Sequence, residues 1–333
     1  MDAIISERDL PPDQQQGRHW RPSPGTVVDI NYDIPTDHLV KSRRQVPEFG
    51  WRKAVHAATF KTVNLGPSGF ERRLNEQTSL IASNIAGTYQ IPVISIKGGV
   101  GKTRTVAGMG TVFGQYRTEP VIAIDANPTY GTLGTVVDPS APASLRNWLD
   151  DRELHTYPMA RRHTGKNRQG LEVLPGNHDV ANPLALDAET FTTALQSAQQ
   201  FYQLALIDCS CDIEHPVMPG VLNSASALVI VSTMQAEHAR GAGQTIEWLA
   251  ARNGHDLLKR TVVVLNDAFR GQTKAFVADI TKQFSPYVQA VKVIPWDKHL
   301  RDAATLDFEV LRRRTQLAYI ELAAELAGGF ARA

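Results

Sequence analysis

A short apolar run followed at once by a glycine-rich, lysine-flanked loop limits most strongly how this chain can fold. Residues 91–96 read IPVISI and predict a buried β-strand, and residues 97–103 read KGGVGKT. A helical pattern over residues 106–115 follows this loop. A strand, a tight glycine turn and a helix in this order are typical of the βαβ units of a parallel sheet.

Short apolar runs separated by helical patterns continue along the rest of the chain. Further strands are predicted at 121–124, 171–174, 204–207, 227–231, 262–265 and 290–294, and further helices at 188–201, 241–253, 274–284 and 311–326. Apolar runs without polar alternation indicate strands that are covered on both faces. The sequence therefore predicts an α/β fold with one doubly wound, mostly parallel sheet of about seven strands and helices on both faces.

The chain before the first strand differs in composition. Residues 1–48 are rich in Pro, Asp, Gln and Arg and lack periodicity, which predicts a disordered polar arm. Residues 49–88 predict a helical extension. Its first helix, near 51–60, either packs on the main domain or forms a basic amphipathic element that touches lipid or a partner, and its second spans about 70–85. The main domain is expected at 89–333, with the segment 311–326 packed on the sheet as its last helix.

Composition and charge exclude several classes of protein. With 333 residues, 42% hydrophobic and 21% charged, the chain can bury a normal core. The formal charge of +1 means that nucleic acid or anionic lipid could be bound only through a local patch. Cys209 and Cys211 are too close in sequence for an ordinary disulfide, which predicts reduced thiols. We find neither a secretory signal pattern nor an apolar run of about 20 residues, so we expect a cytoplasmic protein, free or peripheral at the inner face of the plasma membrane.

The glycine loop predicts a phosphate site. Gly98, Gly99 and Gly101 allow backbone angles that turn N–H groups inward as an anion nest, and Val100 belongs to the same curl of backbone. The following helix adds the positive end of its dipole.

Two side chains at the end of the loop match this chemistry. Lys102 is expected to reach the β- and γ-phosphates of a nucleotide, and the hydroxyl of Thr103 is expected to bind Mg²⁺. The loop departs from the common GxxxxGK[ST] spacing, because Ile96 stands where the first glycine would be. The pattern is instead KGGxGK[ST].

This deviant loop resembles that of the MinD/ParA family of P-loop ATPases, and the resemblance extends over residues 89–330. It implies that the ligands are ATP and Mg²⁺ and that ATP binding forms a homodimer, in which Lys97 crosses the interface to contact the phosphates of the other subunit. It also implies that Asp125 is the first acid of the family's switch and helps to organise the Mg²⁺ region.

The second position of that switch is occupied by Asn127, where the family has an Asp that positions the attacking water. An amide cannot accept a proton at neutral pH, but its oxygen can still orient a water molecule. Slow hydrolysis is therefore expected. The alternative is that Asn127 only caps the turn formed with Pro128 and Gly131.

Four further residues match the family's pattern. Asp208 ends the apolar run 204–207 in the form of a Walker B strand that holds Mg²⁺ through water. Asn266 resembles the family's adenine-reading residue, and Pro295 and Asp297 resemble its purine-contacting loop. No guanine-reading motif of the Asn/Thr-Lys-x-Asp type is present, which favours ATP over GTP.

Arg104 is a further departure from the family. Relatives usually carry a second Thr or Ser there, near the α-phosphate. The arginine either adds charge to the site or points to solvent.

Three segments, 50–66, 248–254 and 294–299, resemble a narrower branch, the EspI-type ATPases associated with actinobacterial ESX (type VII) secretion systems. This resemblance implies a regulatory or positioning component with a secretion-system or membrane-associated protein partner. Two alternatives stay open. One is a chromosome-partitioning type of ATPase that contacts DNA through lysines and arginines between residues 270 and 301, and the other is an ATP-dependent metabolic enzyme of the same superfamily.

Overall fold

A computed structural model describes residues 46, 53, 57–59, 64, 66–129, 131–177, 179, 184–268, 270 and 274–332. Of the predicted arm at 1–48 the structure describes only residue 46, and of the predicted helix near 51–60 it describes only residues 53 and 57–59. Both stay predictions.

The strands and helices of the described residues alternate along the chain. The strands are β1 (Tyr89–Ile94), β2 (Val121–Ala126), β3 (Gly165–Lys166), β4 (Leu171–Leu174), β5 (Leu204–Cys209), β6 (Leu228–Thr233), β7 (Thr261–Asn266) and β8 (Ala290–Ile294). The helices are α1 (Gly69–Ile81), α2 (Lys102–Tyr116), α3 (Leu133–Val137), α4 (Leu145–Asp150), α5 (Tyr157–Arg161), α6 (Ala188–Gln199), α7 (Met218–Asn223), α8 (Ala236–Ala250), α9 (His255–Leu258), α10 (Lys274–Phe284), α11 (Lys298–Asp302) and α12 (Arg313–Ala327). Two 3-10 turns, Phe308–Val310 and Phe330–Arg332, flank α12.

All eight strands form one sheet in the order β3-β4-β2-β5-β1-β6-β7-β8. Every neighbouring pair is parallel except β3 and β4. This confirms the predicted mostly parallel, doubly wound sheet. The strand that sequence reasoning missed is β3, a two-residue edge strand without an apolar run.

Helices cover both faces of the sheet, as predicted. In β2, Val121 and Ala123 join the hydrophobic cluster that includes α1, α2, α3 and α12. Ile122 and Ile124 join the opposite cluster, which includes α4, α6, α8 and α10. The alternation follows from the two-residue period of a strand, and the near-complete burial of both sets explains the continuous apolar runs in the sequence.

The helix before the sheet is part of the same core. A capping box starts α1, in which the Ser68 hydroxyl accepts from the backbone N–H of Glu71 (3.2 Å) and the Glu71 carboxylate accepts from the N–H of Ser68 (2.5 Å). Leu74 and Ile81 on this helix belong to the cluster that contains Ile320 of α12. The boundary at residue 88 stays a prediction, whereas α12 packs on the sheet as expected. No helix in the described part of the chain is long and apolar enough to cross a bilayer.

Candidate functional site

The predicted site residues converge where the central strands end. The glycine loop follows β1, which lies between β5 and β6, while Asp125 and Asp208 are register partners near the ends of the neighbouring strands β2 and β5. Asn266 ends β7. Because the carboxyl ends of parallel strands share one edge, loops that are far apart in sequence meet there, as in other doubly wound sheets.

The backbone of the loop requires glycine at two positions. Gly99 has φ +71° and Gly101 has φ +93°, a region that side chains strongly disfavour. A Cβ at Gly101 would also lie 2.7 Å from Nδ2 of Asn266. Gly101 is the N-cap of α2 and provides no side-chain cap, so the first turn of this helix presents backbone N–H groups that suit an anion.

Thr103 and Asp208 form a buried pair beside the loop. The hydroxyl of Thr103 donates to Oδ2 of Asp208 at 2.7 Å, and Oδ1 of Asp208 is buried without a hydrogen-bond partner among the described residues. Burial raises the pKa of Asp208, and the charge of Asp125 raises it further, against the opposing effects of Thr103 and Lys102. A cation next to this carboxylate would offset its burial, so a hydroxyl and a carboxylate with a spare oxygen fit Mg²⁺.

Asp125 is fully buried and organises the segment after β2. Its Oδ1 accepts from the N–H of Asn127 (3.0 Å) and its Oδ2 from the N–H of Leu133 (3.3 Å). A Cβ on Gly131 would overlap this carboxylate. The carboxylate therefore fixes the backbone at Asn127 and at the start of α3.

Asn127 adopts the arrangement of the turn-capping alternative. Its side-chain oxygen accepts from the backbone N–H (3.1 Å) and the hydroxyl (3.0 Å) of Thr129. A water-positioning role stays a prediction, and it requires this amide oxygen to serve a water as well as the turn.

The two lysines of the loop differ in their contacts. Nζ of Lys97 lies 2.7 Å from a carboxylate oxygen of Glu237 in the first turn of α8. Lys102 makes no ion pair with any carboxylate that the structure describes. Lys102 thus keeps its charge unpaired beside the glycine cradle.

A cavity of about 480 Å³ adjoins the loop. The predicted residues that line it are Gly99, Val100, Gly101, Arg104, Asn266, Pro295 and Asp297. The amide of Asn266 donates from Nδ2 to the backbone carbonyl of Val100 at 2.7 Å, which orients the amide against the loop.

Asp297 borders the same cavity with its carboxylate already engaged. Oδ1 accepts from the N–H of His299 (3.0 Å), and Oδ2 accepts from the N–H of Arg312 (2.9 Å) and the hydroxyl of Thr315 (2.9 Å). Although burial raises the pKa of Asp297, these hydrogen bonds and the charge of Arg312 lower it below its usual value. Its carboxylate holds α11 and the start of α12 in place.

Sequence reasoning missed two aromatic residues of the cavity wall. Trp296 carries the guanidinium of Arg270 over its ring, 3.6 Å from the centroid, and the hydroxyl of Tyr319 donates to the backbone oxygen of Arg104 at 3.3 Å. Trp296 lies between Pro295 and Asp297 in the predicted purine-contacting loop and could have been included. Tyr319 lies on α12, more than 200 residues after Arg104, and gave no local signal.

Arg104 lies in the cavity wall and is partly exposed, and that it adds charge to a phosphate site stays a prediction. Its Nη2 donates to the backbone oxygen of Ala303. Burial lowers the pKa of Arg104, opposed by a smaller effect of Tyr319.

The two cysteines that follow Asp208 in the sequence differ in exposure. Cys209 is buried and Cys211 is exposed, and both are free thiols.

A glycine cradle at the first turn of a helix, a buried Thr–Asp pair and an adjoining cavity at the edge of a parallel sheet define the P-loop nucleotide-binding class. Residues 91–307 match the family described as the CobQ/CobB/MinD/ParA nucleotide binding domain. The chain belongs to this family, whose members include nucleotide-hydrolysing ATPases.

Solved structures share the fold. A ParA family ATPase from Chlorobium tepidum TLS has a TM-score of 0.60 at 18% identity and covers 71% of this chain and 98% of its own. The septum site-determining protein MinD from Pyrococcus horikoshii OT3, complexed with Mg-ADP, has a TM-score of 0.55 at 21% identity and covers 71% of this chain and 94% of its own.

The sequence is also similar to a curated protein, the ESX-1 secretion-associated protein EspI of Mycobacterium tuberculosis. The two are 33% identical over 290 residues, which make up 86% of this chain and 43% of EspI. This chain therefore spans less than half the length of that relative.

Proposed function

We propose that this chain is an ATP- and Mg²⁺-binding ATPase that dimerises on binding ATP and hydrolyses it slowly. The observation that carries the proposal is the glycine cradle at the start of α2, next to the Thr103–Asp208 pair with its spare carboxylate oxygen. The family match supports nucleotide binding, and the Mg-ADP complex of the similar MinD supports the choice of ligands.

Each part of the site has a task in this proposal. The backbone of residues 98–101 and the first turn of α2 hold the phosphates, and Lys102 neutralises their charge. Thr103 and Asp208 would hold Mg²⁺. Asp125 would support this site by holding the backbone at Asn127 and Leu133. When bound, Mg²⁺ supplies positive charge to the phosphate oxygens. Asn266 and the backbone of Pro295 and Asp297 enclose the base, because an amide matches the donor–acceptor edge of adenine.

The switch in oligomeric state rests on Lys97. In the structure its ammonium group is paired with Glu237, an exposed carboxylate whose hold on a lysine is weak in water. An exposed ion pair of this kind can be exchanged for the stronger charge of a triphosphate on a second subunit. ATP binding would then create an interface that the empty chain lacks.

Light scattering with and without Mg-ATP tests the switch. We expect the mass of the wild-type chain to double with ATP and that of Lys97→Ala to stay monomeric. The matched control is Lys259→Ala, which removes a surface lysine that also pairs with a carboxylate, Asp256, and should dimerise normally. The same mass for all three proteins in both conditions would contradict the proposal.

The biological setting is proposed from similarity to EspI, whose name associates it with ESX-1 secretion. We infer a regulatory or positioning role in type VII secretion, in the cytoplasm or at the inner face of the plasma membrane, with a secretion-system or membrane-associated protein partner. A DNA-associated role has less support, because Lys292, a partly buried member of the basic groups between residues 270 and 301, is already paired with Glu321 and Glu325.

A further inference from the structure

The guanidinium of Arg104 is partly buried, and it lacks a counter-ion among the described residues. It is the third residue of α2 and lines the cavity next to Gly101 and Asn266. Nη2 donates to the backbone oxygen of Ala303, whereas Nη1 is buried and has no acceptor among the described residues. No carboxylate that the structure describes lies within ion-pair distance of this guanidinium.

Arg117, which follows the last turn of the same helix, is an arginine with a counter-ion and can be compared with Arg104. Its Nη1 donates to the carbonyls of Ile81 (3.0 Å) and Ser83 (2.7 Å), and its Nη2 pairs with Glu119 at 3.1 Å, although its Nε lacks an acceptor. The Arg117 side chain is buried and the Arg104 side chain is partly buried, but only Arg117 has a counter-ion among the described residues. A guanidinium stays protonated, so Arg104 cannot escape the cost of burial by losing its charge.

We propose that a bound nucleotide provides the counter-charge of Arg104. Its phosphate chain supplies the negative charge that the guanidinium lacks, so Arg104 favours the nucleotide-bound protein over the nucleotide-free protein. The inference rests on the proposed function, which places the phosphates at the first turn of α2, where Arg104 also lies. Coulomb attraction across the cavity acts in the present orientation of the side chain. A direct bond from Nη1 requires the guanidinium to turn toward the cavity.

Two consequences distinguish this role from simple packing. Removing the charge weakens nucleotide binding and, at the same time, relieves the empty protein of a partly buried cation without a counter-ion. The effect applies equally to ATP and ADP if Arg104 acts on the α- or β-phosphate, which both nucleotides carry.

Calorimetric titrations of Mg-ATP and Mg-ADP, with the Tm of the unliganded chain, test the proposal on Arg104→Met and Arg104→Gln. We expect Kd to rise tenfold or more, which is about 1.4 kcal/mol, while the unliganded Tm does not fall below that of the wild type. The glutamine variant keeps an amide donor for the backbone oxygen of Ala303, so it separates the effect of the lost charge from that of the lost hydrogen bond. Arg104→Lys keeps the charge and should stay within about threefold of the wild-type Kd, below the tenfold rise expected for the neutral variants.

Arg117→Met is the matched control, because it removes an arginine that already has a counter-ion. It should lower the Tm of the unliganded chain and leave Kd unchanged. Unchanged Kd in both neutral Arg104 variants would overturn the inference, as would a loss in Arg104→Lys as large as in Arg104→Met. A wild-type chain that binds neither nucleotide would instead overturn the proposed function.

Discussion

At the scale of single residues, Gly101 is constrained twice. Its φ of +93° disfavours any side chain, and a Cβ would press on the amide of Asn266, which braces the loop through the carbonyl of Val100. The same residue therefore shapes the phosphate cradle and allows the wall of the neighbouring cavity to approach it. The absence of a side chain at Gly101 therefore allows Asn266 in the cavity wall to contact the phosphate loop.

Gly101→Ala should lower the free energy of unfolding by about 1–2 kcal/mol from the backbone conformation alone. Urea denaturation of the unliganded chain measures this. Gly98→Ala is the matched control in the same loop, because Gly98 has no positive φ and open space around its Cβ position. We expect its effect to stay within about 0.5 kcal/mol. Equal losses in the two variants would contradict this account of the loop.

Asn127 is the residue at which hydrolysis is expected to be limited. Asn127→Asp restores a carboxylate where the family's switch has one, and we expect ATP turnover to rise tenfold or more, about 1.4 kcal/mol of barrier. A steady-state phosphate-release assay measures it, with Asn127→Ala as the control that removes the side chain and should not accelerate turnover. A wild-type rate in Asn127→Asp would mean that the side chain only caps its turn with Thr129.

Some of these residues could be found from sequence for a simple physical reason. Asp125, Asp208 and Asn266 each end an apolar run, and the ends of parallel strands share one edge of the sheet. The contacts of Arg104 with Ala303 and Tyr319 could not be found, because they depend on how α12 and the segment before it pack against α2. Local pattern carries no information about that approach.

At the scale of elements, the close contact between α2 and α12 depends on a missing side chain. A Cβ on Gly108 of α2 would overlap the ring of Tyr319 on α12, whose hydroxyl also reaches the first turn of α2. The C-terminal helix is thus packed directly against the helix that carries the phosphate site.

Gly108→Ala should therefore destabilise the fold by about 1–3 kcal/mol, although alanine favours a helix more than glycine does. Gly243→Ala in α8 is the matched control, because its Cβ would meet only Phe284 at an ordinary 3.7 Å. That variant should gain up to about 1 kcal/mol from helix propensity. Opposite signs in urea denaturation are the expected result, and a neutral Gly108→Ala would contradict the packing described.

The long strands and helices were predictable because their apolar residues repeat over several turns or a whole strand. The starts of two helices were not. The pattern predicts helices from 106 and 241, whereas α2 begins at Lys102 and α8 at Ala236. The first turn of α2 reads KTRT and that of α8 begins AEH, so neither starts with a run of large apolar residues, and Thr103, Arg104 and Glu237 lie in turns that periodicity does not detect. The short helices α3, α4, α5, α7, α9 and α11 lack enough residues to show a period.

At the scale of the whole molecule, one hydrophobic layer joins the two ends of the described chain to the site. The cluster on one face of the sheet contains residues of α1, α2 and α12, and α2 begins at the phosphate loop. The opposite layer supports α8, whose first turn holds Lys97 through Glu237. The proposed switch residue Lys97 therefore pairs with a helix packed on one layer, and the phosphate cradle begins a helix packed on the other.

Binding of ATP with Mg²⁺ underlies every function proposed for this chain. Isothermal titration calorimetry of the full chain with ATP and MgCl₂ measures it directly. We predict one ATP bound per chain, an affinity at least tenfold lower for Lys102→Ala, and wild-type binding for Lys259→Ala. Heats for the wild-type chain that equal those of dilution, with Mg²⁺ and ATP in excess, would contradict the account.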